Sequence, residues 1–292
     1  MRIILKYKEN GKIHTFLLCY GGIILKQIIE NSKELITVDK IVQALKDIGI
    51  KKGSTVIVHT KLSSLGFVCS GEIAIIEALM KVVTKEGTIV MPTQTGDLSE
   101  PAFWENPKVP QEWWDDIRSE MIPFDKEKTP TLGMGKVPEA FRKYPDVVRS
   151  NHPTVSFAAW GKHSNEVVKE HSLSFALYEE SPLHVLQKLD ADIVMIGTTY
   201  ETTTSLHYAE YTRQYPILIT QGSPVIINGK RQWVTYKEIP FNTDEFNEIG
   251  NDFEKENEIE SVELGNSTIK KVSQRKLIKF AEEWYLKKDK VK

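Results

Sequence analysis

The feature that most narrows the fold is a strand–helix–strand pattern between residues 53 and 91. Gly53 precedes Thr55-Val-Ile-Val58, a β-branched run of strand length. From Gly71 to Val83 apolar residues recur at helical spacing, and Gly87 leads into a second apolar run, Thr88 to Met91. Two such strands joined by a helix lie parallel, because the chain must travel back along the sheet before re-entering it in the same direction. Parallel strands are buried on both faces, so helices must cover them. Thr37 is a candidate N-cap ahead of Ile41, Leu45 and Ile48, with Gly49 as the stop. Ser181-Pro182 opens a helix reaching Leu189. Pro138 to Lys143 and Ile269 to Leu286 also read as helices, and Thr154 to Ala158 and Asp192 to Ile196 as strands. Asn228-Gly229 between two apolar runs marks an antiparallel hairpin. The expected class is α/β: a central mixed, mostly parallel sheet flanked by helices, with a C-terminal antiparallel hairpin region and a terminal helix.

A chain of 292 residues can bury the core such a sheet needs. A net charge of −2 provides no basic field for nucleic acid. Cys19 and Cys69 form neither a disulfide framework nor a metal cluster. The longest apolar run, Phe16 to Leu25, is broken by Gly21 and Gly22 and falls short of the ~20 residues that span a bilayer. It has no small-residue cleavage site. The chain therefore reads as cytoplasmic, with no membrane partner. Residues 1–32 carry no recognisable chemistry and read as an N-terminal extension, either an extra hairpin or a loosely attached segment. Residues 33–292 are expected to form one domain.

Ligands in open α/β sheets sit where strands end in polar loops. Three such ends stand out: His59 to Gly66, Thr93 to Asp97, and Gly197 to Glu210. His207 and Glu210 lie three apart on an expected helix and share a face, His207 near the helix start where the dipole favours a neutral imidazole. The same spacing fits a surface pair on a solvated helix. His152 competes for the role of base, with Arg149 and Ser150 beside it as oxyanion donors. His59, at a buried strand end, reads as a hydrogen-bonded structural histidine. His14, His163, His171 and His184 carry no pattern. From Asp97 to Glu127 there are nine acidic residues against three basic ones, interleaved with Trp104, Trp113 and Trp114. Carboxylates among aromatic faces suit a ring-shaped polycation, and equally a solvated acidic loop. Thr131-Leu-Gly-Met-Gly135 lacks the Gln or Arg that opens the pyrophosphate loop of the common acetyltransferase superfamily.

Several motifs in combination resemble the aminoglycoside 3-N-acetyltransferase family, which is distinct from that superfamily. They are V-I-V-H-T-K-L-S-S-L-G (56–66), E-G-T-I-V-M-P-T (86–93), G-D-L-S-E-P (96–101), E-W-W (112–114), F-D (124–125), T-P-T-L-G-M-G (129–135), R-S-N-H-P-T-V-S-F-A-A-W-G (149–161) and T-S-L-H-Y-A-E-Y (204–211). The resemblance spans Val38 to Leu286. It implies an acetyl-coenzyme A-dependent transferase acting on the 3-N amine of an aminoglycoside, with no metal. It implies His207 as the catalytic base with Glu210 beside it, and Asp97 facing the acceptor. Trp104, Glu120 and Asp125 of the acidic aromatic loop join Asp97 as expected acceptor contacts. Thr60, Ser63, Ser64, Leu65 and Gly66 are expected along the pantetheine arm, and Arg149, Ser150, His152 and Ser156 on the coenzyme A wall. The chain departs from the family at Lys61, where a small polar residue is common, and at Thr203, where asparagine is usual. Both leave the acceptor amine open, as is the question of a homodimer. The alternatives are acetylation of another small amine, a silent coenzyme A or polycation binder, and a metal-dependent amidohydrolase resting on His59, His152 and His207.

Overall fold

The computed structural model describes residues 2–9, 12–19, 22–214 and 216–290; Gly21, within the long apolar run, lies outside them. In chain order the elements are β1 (Arg2–Glu9), β2 (Lys12–Cys19), α1 (Gly22–Glu30), α2 (Val38–Asp47), β3 (Thr55–Thr60), α3 (Glu72–Val83), β4 (Thr88–Pro92), α4 (Trp114–Glu120), α5 (Lys136–Phe141), β5 (Val148–Arg149), β6 (Phe157–Gly161), α6 (Ser164–Lys169), α7 (Pro182–Lys188), β7 (Asp192–Ile196), α8 (His207–Glu210), β8 (Ile219–Ile227), β9 (Lys230–Glu238), α9 (Phe246–Glu256), β10 (Glu260–Leu264), β11 (Ser267–Ser273) and α10 (Gln274–Asp289). The main sheet has seven strands in the order β10-β11-β7-β3-β4-β6-β5. Its centre, β7-β3-β4, is parallel, and antiparallel strands extend both sides. This is the mixed α/β sheet that the turn and helix signals lead one to expect.

Alternate residues of the parallel strands face opposite layers. Val56 and Val58 pack with α2 and α3, whereas Ile57 joins the apolar residues of α7, α9 and α10. Thr37 caps α2 by accepting from Lys40 N (3.4 Å), and Gly49 leaves the helix at φ +79°. Asn228 and Gly229 take φ +50° and +74°, the two left-handed residues of a tight hairpin turn between β8 and β9. β1 and β2 pair as an antiparallel hairpin.

Four local expectations shift. Ser181 precedes α7 but its hydroxyl donates to Tyr178 O rather than capping the helix. α5 begins two residues earlier than read, at Lys136. The strand expected at Thr154–Ala158 starts at Phe157, because Thr154 O and Ser156 O are taken by Thr95 N and Thr93 N in the loop leaving β4. The terminal helix begins at Gln274, and Ile269 to Val272 lies instead in β11, antiparallel to β7. Spacing of three is ambiguous here. In a helix Ile269 and Val272 would share a face, but in β11 they point to opposite layers and both are buried. The open edge of β7 decides the matter, since its buried backbone groups require a partner.

α9 crosses Tyr200, which lies in the loop after β7. A Cβ at Gly250 would fall 2.1 Å from the Tyr200 ring, so only glycine lets helix and ring meet. Alanine is the better helix former, by ~1 kcal/mol. Overpacking against a buried ring, costing ~1–3 kcal/mol, should outweigh that gain. Gly250→Ala is therefore expected to lower unfolding stability in urea, against the direction of helix propensity; a stabilised variant would show the Tyr200 contact to be loose.

Candidate active site

Because β3, β4 and β7 run parallel, their C-terminal ends share one edge of the sheet. Thr60 pairs in register with Ile196, and Lys61 N donates to Ile196 O (2.9 Å). The loops after β3 and β7 are thus side by side from their first residues. Ser64 donates its hydroxyl to Gly197 O (2.5 Å). Gly197 sits at φ +68°, and a Cβ there would lie 2.4 Å from Ser64 Oγ, so the two loops close only around glycine. Between them opens a cleft of about 850 Å³, walled by Thr60, Ser63, Ser64, Gly66, Gly135 and Thr198 among others. An inner cavity of about 230 Å³ continues from it, sharing Thr60, Gly133, Met134, Glu201 and Thr202.

His207 lines that inner cavity. Its Nδ1 lies 2.5 Å from Glu210 Oε2, and both side chains are buried. A carboxylate accepts, so Nδ1–H donates, and in the neutral ring the lone pair is then on Nε2. Nε2 has no hydrogen-bond partner among the described residues. Phe241 and Phe246 hold the ring from two sides, each with its centroid 4.8 Å away. α8 is a single turn preceded by a 3-10 turn, Thr204–Leu206, so the ring does not stand at the start of a long helix dipole. Its tautomer is set by the Glu210 carboxylate instead.

A family model for aminoglycoside 3-N-acetyltransferase matches residues 57–286. The chain is 44% identical over 266 residues to the SPbeta prophage-derived aminoglycoside N(3')-acetyltransferase-like protein YokD of Bacillus subtilis (strain 168), covering 91% of this chain and 98% of that one. The chain belongs to the aminoglycoside 3-N-acetyltransferase family. The YokD crystal structure superposes with a TM-score of 0.89 over 91% of this chain and 99% of its own. Aminoglycoside N(3)-acetyltransferase IX of Micromonospora chalcea is 31% identical over 73% of this chain and 75% of its own. The crystal structure of the aminoglycoside acetyltransferase AAC(3)-Xa has a TM-score of 0.81 at 27% identity, over 89% and 96%.

Within this family member the other expected site residues divide. Thr60, Ser63, Ser64 and Gly66 line the cleft. Leu65 does not: it is fully buried in the core. Arg149 is buried and lines neither cavity. Its guanidinium donates to Thr93 O (2.6 Å), Thr129 O (2.6 Å), Thr93 Oγ1 (3.1 Å) and Ser156 Oγ (3.0 Å) and stacks over Phe124. Burial lowers it to about 10, which leaves it charged at neutral pH. Ser156 Oγ donates to Thr93 O. Ser150 Oγ accepts from Phe157 N and meets Nδ1 of His171. His152 Nδ1 accepts from Thr154 N and Val155 N, and its ring lies 4.6 Å from that of His171. These four residues brace the chain from within instead of walling the cleft.

The acidic loop also falls elsewhere. Asp97 and Glu120 are exposed, Trp104 Nε1 donates to Ser99 Oγ, and Asp125 accepts from Glu127 N and Lys128 N in its own turn. Those amides hold the Asp125 carboxyl below its usual range. None of the four lines the two joined cavities. Reading the sequence missed Gln94, Glu201, Thr202 and Thr243, all on the inner cavity, and Gly133 to Gly135, which line it or the cleft. The polar turn after β7 was a usable signal for Glu201 and Thr202. His59 was misjudged: it is among the residues that line the inner cavity, as His207 is, and its Nε2 has no hydrogen-bond partner among the described residues. His59, His152 and His207 are not brought together, and no group of three metal-holding side chains occurs among the described residues.

Burial lowers His152 to about 4 and His59 to about 3, and drives His171 down as well. Unfolding restores each to about 6.5, so between those values the unfolded chain binds more protons. Stability is therefore complete above pH 6.5 and is lost as pH falls towards 4. Urea titrations should give an unfolding free energy at pH 5 lower than at pH 7 by about 2 kcal/mol or more. A flat profile would contradict neutral burial of these rings.

Proposed function

We propose that this protein transfers the acetyl group of acetyl-coenzyme A to an amine of an aminoglycoside, at the 3-N position of 2-deoxystreptamine, within a ternary complex and with His207 as general base. The observation that carries this reading is the buried His207–Glu210 pair at the inner end of a cleft reached from outside. The relatives named above as N(3)-acetyltransferases support the reaction class.

The cleft suits a thin, phosphate-bearing cosubstrate. Its floor is small side chains and glycine, and Lys61 and Lys136 on its walls can meet phosphate oxygens. An ammonium has no free electron pair, so the acceptor first releases one proton to water. Its nitrogen then attacks the thioester carbonyl carbon, the C–S bond breaks, and coenzyme A leaves as thiolate. The nitrogen's second proton passes to Nε2 of His207 and on to the thiolate. Glu210 keeps the ring oriented and stabilises the imidazolium formed in between. Holding both substrates in one site supplies much of the acceleration, and no covalent acyl-enzyme is required. Cys69 is exposed and lines neither cavity, so it has no part in the step. We place catalysis in residues 33–292 and the protein in the cytoplasm, where acetyl-coenzyme A is made; the earlier segment reaches the cleft wall through Ile28.

A second reading, transfer to a different small amine, is favoured by one observation: the acidic aromatic loop does not line the cavities. Thiol release from acetyl-coenzyme A, measured against aminoglycosides and a panel of small amines, separates the two. His207→Ala should reduce turnover by about 10²–10⁴-fold while acetyl-coenzyme A still binds. Near-normal turnover would remove His207 from the mechanism. Charge removal by Lys61→Ala together with Lys136→Ala should raise KM for acetyl-coenzyme A several-fold and leave kcat little changed; an unaltered KM would place the phosphates elsewhere.

A further inference from the structure

The thioester carbonyl must gain negative charge as the amine attacks, and several backbone donors beside the cleft are already engaged. Ser64 N and Leu65 N close the 3-10 turn Leu62–Ser64 onto Lys61 O and Leu62 O, and Phe67 N is held by Ser32 Oγ. The inner cavity does contain one polar group with nothing to bind. His59, the penultimate residue of β3, is 5% exposed and lines that cavity with His207, and its buried Nε2 has no hydrogen-bond partner among the described residues. The other buried histidines are not like this. His152 accepts two backbone amides, and His171 meets Ser150 Oγ and Ala176 O. Five buried side-chain atoms lack a partner among the described residues, and His59 Nε2 is the one whose residue lines the cavity, where a bound group could meet the ring.

His59 also differs from His207 in chemistry. No carboxylate of the described residues pairs with it, and burial lowers it to about 3. At neutral pH the ring is uncharged. It is far too weak a base to hold the proton of an attacking amine, but it still carries an N–H donor. Its neighbour Thr60 lines both the cleft and the inner cavity, so His59 follows directly on the wall that the two share.

We propose that His59 is a further catalytic residue, donating a ring N–H hydrogen bond to the carbonyl oxygen of the acetyl thioester and stabilising the oxyanion formed on attack. This rests on the acetyl-transfer reading above. No bond to His59 forms or breaks: its proton stays on the ring throughout, the nitrogen's proton goes to His207, and the electron pair of the C–S bond leaves with the thiolate. The two imidazoles divide the work. The one backed by a carboxylate moves a proton, and the isolated one supplies a fixed dipole.

The test uses the full chain with His59→Leu, which nearly preserves apolar volume and deletes the donor, and His59→Gln, which retains an N–H. Expected for His59→Leu is a kcat lower by about 10²–10³-fold, a KM for acetyl-coenzyme A within a few-fold of the parent, and a melting temperature equal or higher. His59→Gln should recover part of the turnover. A spectroscopic readout separates donation from mere packing. With acetyl-coenzyme A carrying ¹³C at the carbonyl and no acceptor present, the bound carbonyl stretch should lie below its value in water-free surroundings. That shift should vanish in His59→Leu and persist in His207→Ala. Turnover of His59→Leu within three-fold of the parent would overturn the inference, as would a carbonyl stretch unchanged by the substitution. Lost turnover accompanied by a lowered melting temperature, with no recovery in His59→Gln, would make the residue structural and also overturn it. Absence of thiol release from the parent protein with every amine defeats the acetyl-transfer reading itself, a result distinct from any of these.

Discussion

The parallel pairing of β3 with β7 is the constraint from which the site follows. Parallel neighbours end at the same edge, so the chain leaving Thr60 and the chain leaving Ile196 emerge together. Every later contact there, from Lys61 N on Ile196 O to Ser64 Oγ on Gly197 O, depends on that shared exit. β4 adds a third parallel exit, which brings Gln94 to the inner cavity. An antiparallel β7 would send Thr198 to Glu210 to the opposite edge and separate His207 from the small residues of the cleft.

Around that edge, some buried polar groups brace the loops and one is left without a partner among the described residues. Arg149 shows the first case. Four of its hydrogen bonds tie the end of β4 and the stretch near Thr129 to the strand that follows, so the glycine-bearing loop 133–135 stands on a firm base. His152, His171 and Ser150 complete that brace. The second case is the inner cavity, lined by His207 and by His59, whose Nε2 is buried without a hydrogen-bond partner among the described residues. Buried polar groups are normally paired; of the five buried side-chain atoms without a partner among the described residues, Nε2 of His59 is the one whose residue lines this cavity.

Packing fixes the geometry of the loop that carries His207 as much as hydrogen bonding does. Phe241 and Phe246 clamp the His207 ring, and Gly250 allows α9 to lie against Tyr200 a few residues upstream. These supports come from segments after the hairpin β8–β9, distant in sequence from the motif they hold. A short helix such as α8 has little intrinsic stability, so its conformation is set by these neighbours.

Local pattern in the chain determined the strands β3, β4 and β7, the helices α2, α3 and α7, and the Asn228-Gly229 turn, because periodicity and turn chemistry act over a few residues. It placed His207 and Glu210 on one face, as spacing of three does in any helical turn, but the same spacing fits a surface pair, and the family resemblance was what set the two apart. Only the tertiary structure decided that Ile269 to Val272 pairs with β7, that Arg149, Ser150, His152 and Ser156 face inwards, and that Leu65 belongs to the core. It alone separates the acidic loop from the cavities and leaves His59 unpaired. The physical reason is the same in each instance. Whether a polar group is a brace or a reagent depends on which partners lie within hydrogen-bond reach, and those partners come from segments tens of residues away that meet only when the sheet is assembled.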